Sequence, residues 1–467
     1  MENKLLQAMK TKDSLTDNGA VTNSTSLNSV LDLFFIAGAS RKMSEDVIFN
    51  MITKAWEENP NLTLRLIFWA GDVRQGAGER RFFRIALKWL SKYNPKALIN
   101  NIEFVPVFNR WDSLFGLVCE DTGIISTKIL DFISFSLFKE KNGLLAKWMP
   151  RKKQYNNLAS KFRKFNKMDP KRYRQLIVSL SKTVEQNMCD NKWNIIEYRS
   201  VPSVAFSKYR KAFKKNDCER FSQFLSNVEK GIDKINAKAI FPHDIYRSFS
   251  RGGDDKSIDL QWKALPNYLE NSSERFLPVC DVSGSMTGTP MEISVSLGIY
   301  LSERNNSAFK DAFITFSEIP SLEYLKGSLT QRMRQLGDAD WGANTNLQGV
   351  FELVLNKAIE SNISESDMPT SLIIISDMEF DMAISDNSSN FEEIKEKYKK
   401  SGYKLPKIIF WNVNGRAGNV PVNINDKNVA LISGASPSIV KSVLSGEISP
   451  VSSMMKTLLV ERYDCLK

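Results

Sequence analysis

Histidine is nearly absent from this sequence: His243 is the one imidazole in 467 residues. It follows Pro242 and precedes a helical stretch, a position for capping or packing. No nucleophile can be named as its partner, so a histidine-dependent catalytic triad is not expected. Cysteine is also sparse, with five residues (Cys119, Cys189, Cys218, Cys280, Cys465) scattered widely and no C-x-x-C pair. That spacing speaks against a zinc site or a disulfide framework and for a reducing interior. No run reaches the roughly 20 apolar residues that span a bilayer. The stretch Met1–Lys10 lacks the apolar core of a signal peptide. No membrane association is expected, and the location expected is the cytoplasm, or a virion or phage-infected cell. A P-loop, a dinucleotide fingerprint and a self-similar repeat are missing as well.

What the chain does have is an uneven charge. Lys and Arg number 64 against 53 Asp and Glu, a net +11. Residues 1–250 carry 42 cations and 25 carboxylates, residues 251–467 carry 22 and 28, and residues 151–250 alone carry 23 and 9. A basic stretch feeding a neutral-to-acidic one points to a polyanion partner, most plausibly nucleic acid.

The hydrophobic period changes once along the chain. Residues 1–26 are polar and read as a flexible terminus. From 27 to 250 apolar residues recur three and four apart, as in Asp46–Trp56, Leu62–Ala70, Arg81–Leu90 and Lys128–Phe138, with turns such as Glu58-Asn-Pro60 between them. Helix pairs of this size stacked in sequence predict an α-helical, HEAT-like solenoid. Residues 251–274 read as a connector rich in Ser, Gly and Asp. Over 275–450 strand-like runs (Phe276–Cys280, Ala312–Phe316, Leu372–Ser376, Lys407–Val413, Val429–Ser433) alternate with helical ones (Met291–Glu303, Asn346–Ile359, Phe391–Lys400, Pro437–Leu444). That alternation predicts a doubly wound, Rossmann-like α/β domain with a parallel sheet. The tail 451–467 reads as a final helix, Met454–Tyr463, returning onto the helical module.

The most informative segment is Pro278-Val-Cys-Asp281-Val-Ser283-Gly-Ser285-Met-Thr287. It places a carboxylate and two hydroxyls at alternate positions directly after an apolar run. Hard oxygen ligands on one loop suit a divalent cation such as Mg²⁺, with Mn²⁺ or Ca²⁺ as alternatives. Thr345, in Gly342-Ala-Asn-Thr-Asn-Leu-Gln348, and Asp377, at the end of the buried run Ser371–Ser376, complete a set of two carboxylates and three hydroxyls on three loops. The plain alternative is a turn with a helix N-cap and a strand-end cap; it explains each piece but not their combination. The set resembles the metal-ion-dependent adhesion site of von Willebrand factor type A domains. That resemblance implies direct metal contacts from Ser283, Ser285 and Thr345, water-mediated ones from Asp281 and Asp377, and an open position for a partner's acidic group. It also implies binding rather than hydrolysis, and the chain is expected not to be an enzyme.

In the helical region, Trp69-Ala-Gly-Asp72-Val-Arg74-Gln-Gly76-Ala-Gly78-Glu79-Arg80 reads by itself as a helix C-cap followed by a charged first turn. Further on stand Asn109-Arg-Trp-Asp112, Leu144-Leu-Ala-Lys-Trp-Met-Pro150 and Tyr198-Arg-Ser-Val-Pro202. Together these resemble the helical module of Ro-type ribonucleoproteins, the TROVE family, which joins a ring of HEAT-like helices to a type A domain. A related uncharacterised family of bacteria, phages and large viruses shares the layout and looks closer. The basic cluster contains Arg151, Lys152, Lys153, Lys161, Arg163, Lys164, Lys167, Lys171, Arg172, Arg174, Lys208, Arg210 and Lys211. Phe162, Phe165, Tyr173, Tyr209 and Phe213 are interleaved with them. Cations neutralise phosphates and aromatics stack on unpaired bases; alternatively the aromatics are core and the cations a solvated outer face. The expectation is a ribonucleoprotein component with a basic helical surface for RNA and a divalent-metal site for an acidic protein partner. The alternative is a non-enzymatic assembly adaptor docking through its metal site. A nuclease is disfavoured for want of a second carboxylate cluster.

Overall fold

A computed structural model describes residues 13–120, 123–151, 156–252, 256–316, 320–337, 346–381, 390–444 and 446–467. A two-stranded hairpin, β1 (Ser14–Leu15) and β2 (Val21–Thr22), opens the described chain. Helices then follow one another to Lys263, and a six-stranded sheet with its helices fills the remainder. The expected order of a helical region followed by an α/β domain is therefore present.

Local signals set the helix ends. Ser44 accepts from the Val47 N–H and opens Glu45–Glu58; Asn59 accepts from the Leu62 N–H and opens Pro60–Gly71, with proline in its first turn. Glu79 accepts from the Arg81 N–H and starts Arg80–Tyr93. These first helices, and Asp112–Glu120 and Ile124–Phe138 after them, pack chiefly on their neighbours in the chain. The helical region nevertheless holds two cores. Buried residues between Ile196 and Ile235, with Leu260, form a separate apolar cluster around Tyr198, Phe206, Phe213 and Phe221, whereas Ala237, Ile240, Ile245 and Ile258 belong to the larger core. The stretch expected to be a connector contributes the helix Lys256–Lys263, and Leu260 belongs to that second cluster.

The sheet strands are β3 (Phe276–Asp281), β4 (Ala312–Phe316), β5 (Leu322–Tyr324), β6 (Ser371–Ser376), β7 (Lys407–Asn412) and β8 (Val429–Ser433). Their order is β5-β4-β3-β6-β7-β8, all parallel except the edge strand β5, which runs antiparallel to β4. β3 and β6 are buried at every position, as strands covered on both faces must be. The chain moves from β3 toward one edge and then from β6 toward the other. With right-handed crossovers this places helices on both faces, and it makes the gap between the ends of β3 and β6 the topological switch point. The helix Thr289–Glu303 lies so close to β3 that a Cβ on Gly298 would sit 2.3 Å from the Cys280 sulfur.

The two regions share the larger core, which runs from Ala20 to Tyr463. The helix Ser29–Ala37 packs on β8, and Gly38 after it lies where a Cβ would meet the Ser433 carbonyl at 2.6 Å. The Ser433 hydroxyl donates to the Phe34 carbonyl (2.7 Å) and accepts from the Gly38 N–H (3.0 Å). The expected C-terminal helix is Pro450–Leu458 with a short turn Glu461–Tyr463. It returns to the helical region: Arg462 and the Tyr463 hydroxyl both bind the fully buried Asp72. The polar terminus is a correction. Residues 13–23 are not a loose tail, because Thr16 donates to the Phe380 carbonyl (2.7 Å), the Asp17 N–H to Glu379 (2.7 Å), and Thr22 and Asn23 to the Val420 carbonyl (both 2.9 Å). Polar side chains that satisfy another strand's backbone look, in sequence, the same as polar side chains in water. Residues 1–12 lie outside the described residues.

Candidate functional site

β3 and β6 end side by side at the switch point, with Cys280 in register with Ile375. Asp281, one residue beyond, and Asp377, two residues beyond, therefore flank the crevice where open α/β sheets bind ligands. Both are buried, at 0% and 3% exposure. Asp281 accepts from the Ser283 N–H (2.9 Å) and from the Ser376 hydroxyl (2.6 Å). Ser283 and Ser285 bring their hydroxyl oxygens within 3.0 Å of each other, and the Ser285 residue is exposed. Burial first, then the charge of Asp377, pushes the Asp281 carboxyl up from 3.8 to about 6, against the lowering effect of its hydrogen bonds. Two buried carboxylates, one raising the pKa of the other, are an arrangement that a divalent cation relieves. Among the described residues, no three His, Cys, Asp or Glu side chains converge as a metal centre. A cation here would instead rest on two carboxylates and the hydroxyls of Ser283 and Ser285, a donor set of hard oxygens that suits Mg²⁺. Thr345 lies outside the described residues.

Sequence reasoning missed the support of this loop. Met378 has a left-handed backbone (φ +68°), and its N–H donates to the Ser376 hydroxyl (3.0 Å). Glu379 is buried and bound by the Asp17 N–H (2.7 Å), by Asn419 (3.0 Å) and by Arg416 (3.4 Å). The N-terminal hairpin thus holds the segment that carries Asp377. A serine ending a buried strand immediately before Asp377 was the one available signal.

The basic stretch divides. On the helices Asn156–Phe165 and Pro170–Leu180, Phe162 and Tyr173 turn inward, with rings 5.9 Å apart. The Tyr173 hydroxyl donates to the Pro150 carbonyl (2.9 Å), and burial pushes its pKa to about 12. Phe213 is core of the second cluster, and Tyr209 packs against it. Four of the five aromatics expected to stack on bases are therefore structural, because Phe162, Tyr173, Tyr209 and Phe213 sit on the inward faces of amphipathic helices; Phe165 is 40% exposed. Two cations also turn inward. Arg210 is buried and donates to the carbonyls of Ser207 (2.7 Å) and Ser248 (3.2 Å). Lys161 caps the helix Asp112–Glu120 through the Val118 (2.6 Å) and Cys119 (3.3 Å) carbonyls. Arg163 is half-buried and donates to the Ala159 carbonyl (3.3 Å). Arg151, Lys164, Lys167, Lys171, Arg172 and Arg174 are exposed on one subregion, and Lys208 and Lys211 on the other. Lys152 and Lys153 lie outside the described residues. His243 stacks on Phe241 (5.8 Å), and burial drives its pKa down to about 4, so it is a neutral packing residue.

These features define a helical region fused to a doubly wound α/β domain whose switch point carries a paired carboxylate. Residues 16–175 and 125–274 match the family described as Domain of unknown function (DUF2828), and residues 275–459 match that described as DUF7788. The first spans more than half of the chain, and the chain belongs to that family. A relative, "Uncharacterized protein L728" of Acanthamoeba polyphaga mimivirus, is 28% identical over 499 residues, covering 95% of this chain and 87% of that one. The solved Ro (RSR) protein of Deinococcus radiodurans aligns over 93% of this chain and 99% of its own, with 10% identity and a TM-score of 0.34. A score that low fixes neither fold nor function. No helix among the described residues is long and apolar enough to cross a membrane.

Proposed function

We propose that this chain binds RNA through the outer face of its helical region. One observation carries the reading. Between 151 and 180 the sequence contains a single carboxylate, Asp169, and that residue is occupied as the N-cap of Pro170–Leu180. Lys164, Lys167, Lys171, Arg172 and Arg174 surround it as exposed cations. Such a face neutralises phosphates without reading bases, so binding is expected to be tolerant of sequence and sensitive to salt. The resemblance of the helical motifs to Ro-type modules supports the same reading. Ultraviolet cross-linking in the native cell, followed by peptide mapping, tests it. Cross-links on 151–174 are expected; cross-links confined to 275–450 would overturn it.

A second reading is favoured by the carboxylate pair at the switch point. In it Asp281, Asp377, Ser283 and Ser285, with Thr345, hold Mg²⁺ or a related cation in the manner of a type A domain. The cation would offer a coordination position to an acidic group on a protein partner. This is docking chemistry, and the chain would act as an adaptor rather than an enzyme. A partner retained in Mg²⁺ and released by EDTA supports it; capture unaffected by EDTA or by Asp281→Asn counts against it.

A further inference from the structure

Where the helical region, the segment leading into the sheet and the C-terminal turn meet, the structure forms a half-open cavity of about 710 Å³. That volume suits a small organic ligand, and a junction between regions is where such sites form. Its lining is one-sided in charge. Arg74, Lys238, Lys441 and Lys456 line it, and among the described residues no Asp or Glu does. The carboxylate that lies behind the cavity wall, Asp72, is fully buried and already bound by Arg462 and by the Tyr463 hydroxyl (3.2 Å).

The cations are placed on a built frame. Arg74 donates to the Val107 carbonyl (2.8 Å), and Lys456 to the Glu447 carbonyl (3.2 Å). The Lys441 ammonium lies 5.3 Å over the Tyr268 ring, and the Tyr268 N–H donates to the Tyr300 hydroxyl (3.2 Å). The Ser438 hydroxyl donates to the Gln75 carbonyl (3.0 Å), joining the turn after the helix Pro60–Gly71 to the C-terminal region. Pro266, Ile439 and Val460 supply an apolar wall beside the cations.

We propose that this cavity is a binding site for a small anion bearing two or more phosphates on an organic scaffold. Several cations lining one space attract an anion into it, and clustered phosphates match several cations at once. The tyrosine ring and apolar wall give the scaffold a surface to lie on. A ligand seated there touches both regions of the chain, so it tightens their junction and raises the melting temperature. The site is separate from the proposed RNA face and from the switch-point carboxylates.

The test uses the full chain in EDTA at about 0.15 M salt, where long-range surface attraction is screened. Calorimetry and thermal melts are run with ATP, inositol hexakisphosphate and pyrophosphate. Binding of ATP or inositol hexakisphosphate, tighter than that of pyrophosphate and with a raised melting temperature, is expected; preference between the first two names the scaffold. The double variant Lys441→Glu, Lys456→Glu, both exposed, should melt like the wild type without ligand and bind at least about tenfold more weakly. Arg74→Gln serves as a second variant should that pair fail to fold. Lys171→Glu, Arg174→Glu, on the proposed RNA face, should bind as the wild type does. The proposal is overturned if none of the three ligands binds, if the cavity variants bind normally, or if the Lys171, Arg174 variant loses binding equally.

Discussion

Replacing Asp281 with asparagine should stabilise the metal-free protein at neutral pH while abolishing its response to Mg²⁺. The new amide oxygen would still accept from the Ser283 N–H, and the amide nitrogen could donate to Ser376, whose hydroxyl now donates to Asp281. What the substitution removes is a charge held in a buried site beside Asp377. In the wild type, burial and that neighbour raise the carboxyl from 3.8 to about 6. Because the folded-state value lies above the unfolded one, the stability contributed by the protonated group is complete below about pH 4. It is lost as the pH rises past 6. At about 1.4 kcal/mol per pH unit, the full penalty above pH 7 is about 3 kcal/mol. The penalty is about a third of that at pH 4.5, where the folded group is protonated and the unfolded one partly ionised. For a domain of this size each kcal/mol moves the melting temperature by roughly 2–4 °C, so Asp281→Asn should melt up to about 6–12 °C higher in EDTA at pH 7.5. The gain should shrink at pH 4.5. Excess Mg²⁺ should raise the wild type and leave the variant unmoved. A variant that melts well below the wild type in EDTA at pH 7.5 would refute the reasoning and make Asp281 a structural acceptor.

Three further outcomes follow from packing. Arg462→Ala leaves Asp72 buried without its ion pair and should cost about 3–5 kcal/mol; Asp72→Asn added to Arg462→Met should recover much of it in a denaturant titration. Gly298→Ala drives a methyl to within 2.3 Å of the Cys280 sulfur, for a loss of about 1–3 kcal/mol. Adding Cys280→Ala should restore part of that, and strict additivity of the two would deny the contact. Phe162→Ala should lower stability by about 3–5 kcal/mol as a core truncation, with RNA affinity of the folded fraction unchanged in a filter-binding assay.

The α/β domain was legible because its signal is redundant. Apolar runs such as Leu372–Ile375 mark strands buried on both faces, and polar residues at their ends mark the ligand edge. The edge strand β5 carries no such signal: Leu322 and Tyr324 are exposed, and only three residues pair. The basic cluster was legible as charge but not as geometry. Phe162 and Phe165 are both aromatic and three apart, yet the helix buries one and exposes much of the other. Arg210 and Lys208 differ by two positions, which is enough to put one on the core side and the other in water. The hairpin at 14–22 and the Asp72–Arg462 pair were hidden because their partners lie hundreds of residues away, where no local period reports them. The Asp72 motif was readable as a cap and turn, and its second role in anchoring the C-terminus was not.

If the exposed cationic face binds RNA phosphates, a salt titration of the full chain will show it. Affinity of the full chain for a single-stranded RNA should fall linearly in a log–log plot, with a slope of roughly −0.7 per phosphate contacted. The variant Lys171→Glu, Arg172→Glu, Arg174→Glu should flatten that slope by about 2 and weaken every RNA sequence alike. Binding that ignores salt, or that the triple variant leaves intact, would mean that this face does not hold RNA.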